Sequence, residues 1–166
     1  MSTDAITLLK DDHKRAKALF RQFESAGDGA HAEKGRLVHR IIELLTMHTY
    51  IENEVMYPEV LRLLPHLTDD VLESYEEHHV ADVLCMELWA MDPTSERFDA
   101  KAKVLIENVE HHIKEEEHDW FPKVRAGLGR NQLSELGERL LQAKKQAPHS
   151  PAQPSALKKV ANAILP

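Results

Sequence analysis

Apolar residues recur at spacings of three and four over most of the chain, which is the pattern of amphipathic helices. Asp4 stands where its side chain can cap a first helix, and the small residues at 25–29 interrupt the pattern. A first helix is therefore predicted over residues 4–24. Its inward positions are Ile6, Leu9, Ala16, Leu19, Phe20 and Phe23.

Three more long helices and one short helix are predicted in the same way. The second covers residues 32–64 with a kink at Pro58, the third covers 69–90 with Thr68 as its cap, and the fourth runs from 93 to about 126. A shorter helix follows over 132–144. The inward positions are Leu37, Ile41, Leu44, Leu45, Ile51 and Val55 in the second helix, Val71, Leu72, Ala81, Leu84, Cys85 and Leu88 in the third, and Val104, Leu105, Val109, Ile113 and Phe121 in the fourth.

Four long helices joined by short loops, with no alternating segment typical of a strand, predict an all-α fold. We expect an antiparallel up-down-up-down four-helix bundle with a short extra C-terminal helix and tail. The bundle is assigned to residues 1–145. Residues 146–166 begin with a proline-rich linker and end in a short helix over 155–164 that docks on the bundle.

Composition and charge narrow the classes of partner. The formal net charge is -7 with no basic patch, which argues against nucleic acid. No apolar stretch approaches the roughly 20 residues that span a bilayer, and no secretory signal is visible, so a cytoplasmic protein without a membrane partner is expected. Cys85 is the one cysteine, which excludes an intrachain disulfide and a cysteine-based zinc site, and it is expected in the core.

Two segments share one pattern: a histidine, a glutamate four residues later, then an aromatic residue and a proline five and six residues beyond the glutamate. The two copies are His48, Glu52, Tyr57 and Pro58 in the second helix, and His112, Glu116, Phe121 and Pro122 in the fourth. The other two long helices each carry a matching histidine. His13 precedes His48 by 35 residues, and His78 precedes His112 by 34.

This duplicated pattern suits a metal site. Residues four apart share one helix face, about 5–6 Å between Cβ atoms, so each histidine and glutamate can reach one site. Burying Glu52 and Glu116 unpaired would cost several kcal/mol, which a cation removes. Histidines hydrogen-bonded to glutamates would explain one copy, but two copies in register favour metal. The predicted ligands are His13, His48, Glu52, His78, His112 and Glu116.

Other histidines offer a competing assignment. Glu76 with His79 and Glu115 with His118 have the Glu-x-x-His spacing of ferritin-like di-iron sites, and His111 could pair with Glu115. Most of these positions fall on a polar strip, which favours a solvated face. The remaining histidines are expected at the surface, namely His31, His39, His66 and His149.

These motifs resemble the hemerythrin-like proteins with an HHE cation-binding domain, over nearly the whole chain to about Lys144. The matching pieces are Asp12-His13, the two H-x-x-x-E segments with their aromatic-proline pairs, and Glu77-His78. The resemblance implies two iron ions with an oxo or hydroxo bridge, four terminal histidines, and Glu52 and Glu116 as bridging ligands. Members bind or sense oxygen, or act on peroxide or nitric oxide.

One departure bears on function. The oxygen-carrying hemerythrins have a second histidine four residues along the third helix, where this chain has Asp82. They also have an aspartate five residues after the last histidine, whereas the fourth helix of this chain offers Glu116, four residues after His112. Water, Asp82, Tyr50 or Tyr57 is left to complete the coordination. An open position favours a protein that reacts with O2, hydrogen peroxide or nitric oxide, with catalase-like peroxide consumption preferred. The alternatives are a redox or oxygen sensor and an iron store, and a homodimer is one assembly open to the chain.

Overall fold

The computed structural model of the protein describes residues 4–151, and the all-α class is confirmed within that range. A 3₁₀ turn spans Pro65–Leu67, and the helix predicted over 155–164 lies outside the described residues. The α-helices are α1 (Ala5–Ser25), α2 (His31–Ile51), α3 (Tyr57–Leu63), α4 (Thr68–Trp89), α5 (Phe98–Glu115), α6 (Phe121–Gly127) and α7 (Arg130–Lys144).

The predicted start of α1 is confirmed, whereas two other helix starts were wrong. Asp4 Oδ1 accepts a hydrogen bond from the backbone N–H of Thr7 at 3.0 Å. Thr68 is not a cap: it is the first residue of α4, and its hydroxyl donates to the carbonyl of Pro65 at 2.6 Å. The fourth helix begins at Phe98 rather than near 93, because residues 92–98 form two successive turns closed by backbone hydrogen bonds.

Two π-helical turns, Glu52–Met56 and Glu116–Trp120, interrupt the second and fourth long helices. Pro58 and Pro122 have no backbone N–H and cannot continue the regular α-helical hydrogen bonding. The N–H of the preceding aromatic residue instead bonds to the carbonyl five residues back, which belongs to the repeat's glutamate. The kink predicted at Pro58 is therefore a π turn, and Pro122 sits in its equivalent.

The helices pack so that two apolar clusters lie on either side of a polar layer. Helix α1 packs along α2 and α4 packs along α5, while α7 contacts α1, α2 and the first π turn. One cluster includes Tyr57 and Trp120 together with Leu133, Leu136 and Leu140 of α7. The other cluster includes Phe20, Ile42, Cys85 and Phe98. The repeat's histidines stand in the chain between residues of the two clusters, so the bundle brings them together at mid-height.

One predicted core position was wrong. Val104 is 52% exposed, because α5 turns Leu105 and Ile106 inward instead. Cys85 is 2% exposed, as expected of a core thiol. Within residues 4–151 no helix combines the length and apolar character needed to span a membrane. The antiparallel order of the four long helices stays a prediction.

Candidate metal centre

The structure brings all six predicted ligands into one buried layer. His13, His48, His78 and His112 come from α1, α2, α4 and α5 respectively. Glu52 and Glu116 are the first residues of the two π turns. None of the six is more than 6% exposed. Each helix pair therefore supplies two imidazoles and one carboxylate.

Each glutamate lies between histidines of two different helices. Glu52 Oε2 is 3.3 Å from His48 Nε2 and 3.2 Å from His78 Nε2. Glu116 Oε2 is 3.2 Å from His13 Nε2, and its Oε1 is 3.6 Å from His112 Nε2. Both carboxylates thus span the gap between helix pairs, as a ligand shared by two ions would.

The donor atoms form two groups within which every ligand atom lies within 4.8 Å of the others. Glu52 belongs to both groups, so the arrangement can hold two ions that share a carboxylate. The first group is His13, His48, Glu52 and Glu116, and the second is Glu52, His78 and His112.

A second layer of polar residues faces the Nδ1 atoms and leaves each Nε2 directed at the centre. His13 Nδ1 lies 2.9 Å from Glu117 Oε1, and His78 Nδ1 lies 2.9 Å from Asn53 Oδ1. Such partners fix the ring orientation of metal-binding histidines. His112 Nδ1 lies within hydrogen-bond distance of Glu77 Oε2. His48 Nδ1 lies 3.5 Å from Asp12 Oδ2, which is an ion-pair distance, but the two atoms are not aligned for a hydrogen bond.

Sequence reasoning missed these outer partners, although the repeat contained their signal. Asp12 and Glu77 each precede the lone histidine of their helix, but each contacts the histidine of the following H-x-x-x-E segment. Asn53 and Glu117 each follow one of the two glutamates of the repeat and contact a lone histidine of the other helix pair. A polar residue at matched positions in both copies was the available clue.

Buried atoms without partners test whether the set fits a metal. His13 Nε2, His48 Nε2, Glu52 Oε1 and Glu116 Oε2 have no aligned hydrogen bond in the described part of the chain. Leaving such groups desolvated is costly, and a cation placed among two imidazoles and two carboxylates satisfies all four. The residues present therefore fit a metal centre.

Without metal, protons occupy part of the site. Burial lowers the pKa of His48, but the carboxylates of Glu52 and Asp12 outweigh it and raise the pKa to about 10. Burial likewise lowers the pKa of His112, but Glu116 and Glu77 outweigh burial and raise the pKa to about 9. Burial by itself raises the pKa of Glu52, but His48 and His78 hold it well below the usual value. Metal binding would have to displace the protons of His48 and His112.

Tyr57 adds a hydroxyl to the centre. It is fully buried, donates to Glu116 Oε1 at 3.0 Å, and lies 3.2 Å from His78 Nε2 and 3.4 Å from Glu52 Oε2. Burial and then the two carboxylates raise the pKa of Tyr57 well above 10, so it is a neutral phenol in the metal-free protein. Of the two tyrosines considered for the missing ligand, Tyr57 contacts three of the six candidate ligands, whereas Tyr50 packs against an apolar cluster.

A small cavity opens beside the four histidines, toward the second apolar cluster. Its volume is about 20 Å³, measured as space open to the centre of a water-sized molecule. That is room for about one such molecule. Ala81, Leu45 and Val109 contribute apolar walls, and Asp82 contributes a carboxyl whose pKa is raised by burial to about 7.

The ferritin-like alternative is not assembled in this layer. His111 and Glu115 are exposed on α5, and His118 is exposed on the second π turn. Glu76 is likewise exposed on α4. The structure therefore keeps these residues apart from the buried centre.

A model of the Hemerythrin HHE cation binding domain matches residues 4–124. The chain belongs to this family. The family resemblance of the motifs is thereby confirmed. A crystal structure of an HHE cation binding domain-containing protein from Mycobacterium kansasii has the same fold, with a TM-score of 0.74 and 23% identity. The match covers 87% of this chain and 86% of that one.

A second relative is a longer protein that matches this chain over part of its length. The DNA nickase of Nostoc sp. (strain PCC 7120 / SAG 25.82 / UTEX 2576) is 25% identical over 137 residues, which are 82% of this chain. The match covers 38% of the nickase, so this HHE domain protein corresponds to well under half of that relative's length.

Proposed function

We propose that this HHE domain binds two iron ions, with an oxo or hydroxo bridge between them, in an antiparallel up-down-up-down bundle, and that the loaded centre consumes hydrogen peroxide. The observation that carries the proposal is the pair of buried ligand groups sharing Glu52, four of whose donor atoms lack a partner. Imidazole and carboxylate donors suit iron, and a shared carboxylate suits two ions. A single ion would leave part of the set unused.

The chain's residues divide the work by position. His13 and His48 would hold one ion and His78 and His112 the other, with Glu52 and Glu116 shared between them. The outer carboxylates of Asp12, Glu77 and Glu117 and the Asn53 amide keep the imidazole Nε2 atoms turned inward. Two adjacent redox-active ions supply the electron exchange that peroxide disproportionation requires.

Other residues select the ligand and place a proton. The cavity of about 20 Å³ admits a molecule the size of peroxide or O2 and excludes larger substrates. Its apolar walls keep bulk water from the buried donors. The Tyr57 hydroxyl holds a proton at Oη, 3.0 Å from Glu116 Oε1, at the edge of the ligand layer.

The nickase activity named for the Nostoc relative is not proposed for this chain. The chain covers 38% of that protein, and its net charge of -7 opposes binding to a polyanion. A small uncharged ligand is compatible with both observations.

Metal analysis tests the proposal. Protein reconstituted anaerobically with ferrous iron and then oxidised is expected to hold about two irons per chain and to show oxo-to-iron absorption in the near ultraviolet. The double variant His48→Ala/His112→Ala should lose both the iron and the evolution of oxygen from peroxide, since each ion loses an imidazole. The variant His66→Ala/His118→Ala, which removes two exposed histidines, is the matched control. Absence of iron from reconstituted wild type would refute the di-iron assignment.

A further inference from the structure

A third cluster of metal-ligating side chains lies on the outside of the bundle, where α4 meets α5. We propose that Glu77, His111 and Glu115 form a surface site for a divalent cation, and that this site captures ions on their way to the buried centre. The capture role rests on the proposed function, whereas the surface site itself does not. Donor atoms of the three residues lie within 4.8 Å of one another.

The geometry of the three side chains suits a loosely held ion. His111 Nε2 is 3.4 Å from Glu115 Oε1 and 3.9 Å from Glu77 Oε1. Metal–ligand bonds of about 2.0–2.2 Å place adjacent donors about 3.0–3.6 Å apart, so a small movement of Glu77 completes the set. The His111 side chain is 63% exposed and that of Glu115 is 49% exposed, which leaves room for water as the remaining ligands.

Glu77 connects this cluster to the buried centre. Its Oε2 accepts from Nδ1 of His112, while its Oε1 faces His111 at the surface. One carboxylate therefore touches a predicted ligand of the buried centre and a member of the surface cluster. An i,i+4 pair on a solvated helix face would not require this third residue from the neighbouring helix.

A polar pocket with a volume of about 30 Å³ lies beside the cluster. Its lining includes Glu77 and Glu115 of the cluster and also His112 and Glu116 of the buried layer. The pocket therefore shares two lining residues with the buried layer, although Glu116 Oε2 itself lies 3.2 Å from His13 Nε2 within the first ligand group. The carboxylates lining the pocket are Asp70, Glu73, Glu77, Glu115, Glu116 and Asp119.

The charge of this pocket is strongly negative. Lys123 pairs with Asp119 at 2.7 Å and with Asp70 at 3.1 Å, and His112 is protonated in the metal-free protein, so two cations offset part of six carboxylates. Negative charge in a cleft with low-dielectric walls focuses cations and raises their association rates by about 10–10³-fold. The pocket is thus placed and charged to pass a cation inward.

Titration of metal-free protein with Co2+, followed by calorimetry and visible absorption, separates the surface site from the buried centre. Wild type is expected to bind about three ions per chain, His111→Ala/Glu115→Gln about two, and His48→Ala/His112→Ala about one. The control His66→Ala/Glu110→Gln changes one exposed histidine and one exposed carboxylate outside the pocket, and should bind three.

The outcomes distinguish the two proposals. Two ions in both wild type and His111→Ala/Glu115→Gln would overturn the surface site and leave the buried centre intact. One ion in wild type, lost in His111→Ala/Glu115→Gln and kept in His48→Ala/His112→Ala, would establish the surface site and overturn the di-iron assignment.

Stopped-flow absorption tests the capture role. The buried centre of His111→Ala/Glu115→Gln is expected to fill with Co2+ about tenfold more slowly than that of the control, at the lower end of the electrostatic effect. Equal filling rates in the two variants would overturn the capture role.

Discussion

Asp82 shows how a single side chain is governed by its surroundings. It stands one turn beyond His78 on α4 and lines the small cavity, and no hydrogen bond or ion pair joins it to another residue of the described range. Burial therefore raises the pKa of Asp82 from 3.8 to about 7. The unfolded chain ionises this carboxyl at lower pH than the folded chain does, so Asp82 lowers stability increasingly as pH rises from about 4 to 7.

Replacing Asp82 with asparagine should therefore stabilise the metal-free protein in a pH-dependent way. The gain in free energy of unfolding is expected to rise between pH 5 and pH 8 and to reach about 2–4 kcal/mol at pH 8. Urea unfolding of wild type and Asp82→Asn at both pH values measures it. Asp28→Asn in the exposed α1–α2 loop is the control and should change little. An equal gain at both pH values would show that packing, and not ionisation, explains the effect.

The sequence predicted which candidate ligands come together, but it did not predict their outer partners. The duplicated H-x-x-x-E pattern pointed to the six residues that the structure brings together. Asp12 is adjacent to His13 in the chain, yet it faces His48 on α2. Which imidazole a carboxylate meets depends on the rotation of neighbouring helices, and periodicity within one helix does not contain that information.

The long helices lie close to where the apolar periodicity predicted them, whereas the periodicity did not predict the two π turns. The proline of the repeat predicted a break in the second helix, whereas the structure has a π turn there. In this turn the N–H of Tyr57 bonds to the carbonyl of Glu52, and the tyrosine hydroxyl reaches the ligand layer. Phe121 is turned inward by the equivalent bond to Glu116. Thus the aromatic-proline half of the repeat specifies backbone geometry, while the histidine-glutamate half specifies donors.

Gly35 gives an element-scale prediction, because it lies inside α2 where alanine would ordinarily be preferred. A Cβ atom at this position would stand 2.6 Å from Cγ of Pro93, in the turn before α5. Helix propensity favours Gly35→Ala by about 1 kcal/mol, but overpacking typically costs about 1–3 kcal/mol. We expect the variant to lose about 1 kcal/mol of stability in urea unfolding, since the proline ring has little freedom to move.

Pro93→Ala supplies the control for this prediction. With the ring removed, Gly35→Ala should become neutral or stabilising, so the two substitutions should couple in a double-mutant cycle. Stabilisation by Gly35→Ala in the wild-type background would mean that α2 and the turn can move apart at little cost.

On the scale of the whole molecule, α7 belongs to the bundle and not to its periphery. Leu133, Leu136 and Leu140 are buried in the cluster that contains Tyr57 and Trp120. Periodicity predicted this helix and placed it within the domain of residues 1–145, but it gave no indication of what the helix packs against. The end of α7 is fastened to α1 by an ion pair. Lys144 Nζ donates to both carboxylate oxygens of Asp12, at 2.6 and 2.7 Å.

This ion pair links the end of α7 to the candidate metal centre. Asp12 is 3% exposed, and its Oδ2 is 3.5 Å from His48 Nδ1. Lys144→Met should leave a buried carboxylate without its lysine. Because Lys144 is 23% exposed, we expect a loss of about 1–3 kcal/mol, less than for a fully buried pair. Outer partners typically tune metal affinity by about 10–100-fold, so Co2+ affinity at the buried centre should also fall about tenfold.

Urea unfolding and Co2+ competition with a chelator measure the two effects separately. Lys145→Met is the control, because it removes the same charge. The Lys145 side chain donates only to Gln142, three residues back in the chain. If Lys144→Met lost stability but kept Co2+ affinity, the lysine would merely fasten α7 to α1. Loss of both would mean that the buried centre depends on α7 through Asp12 and His48, although α7 contributes no donor atom of its own.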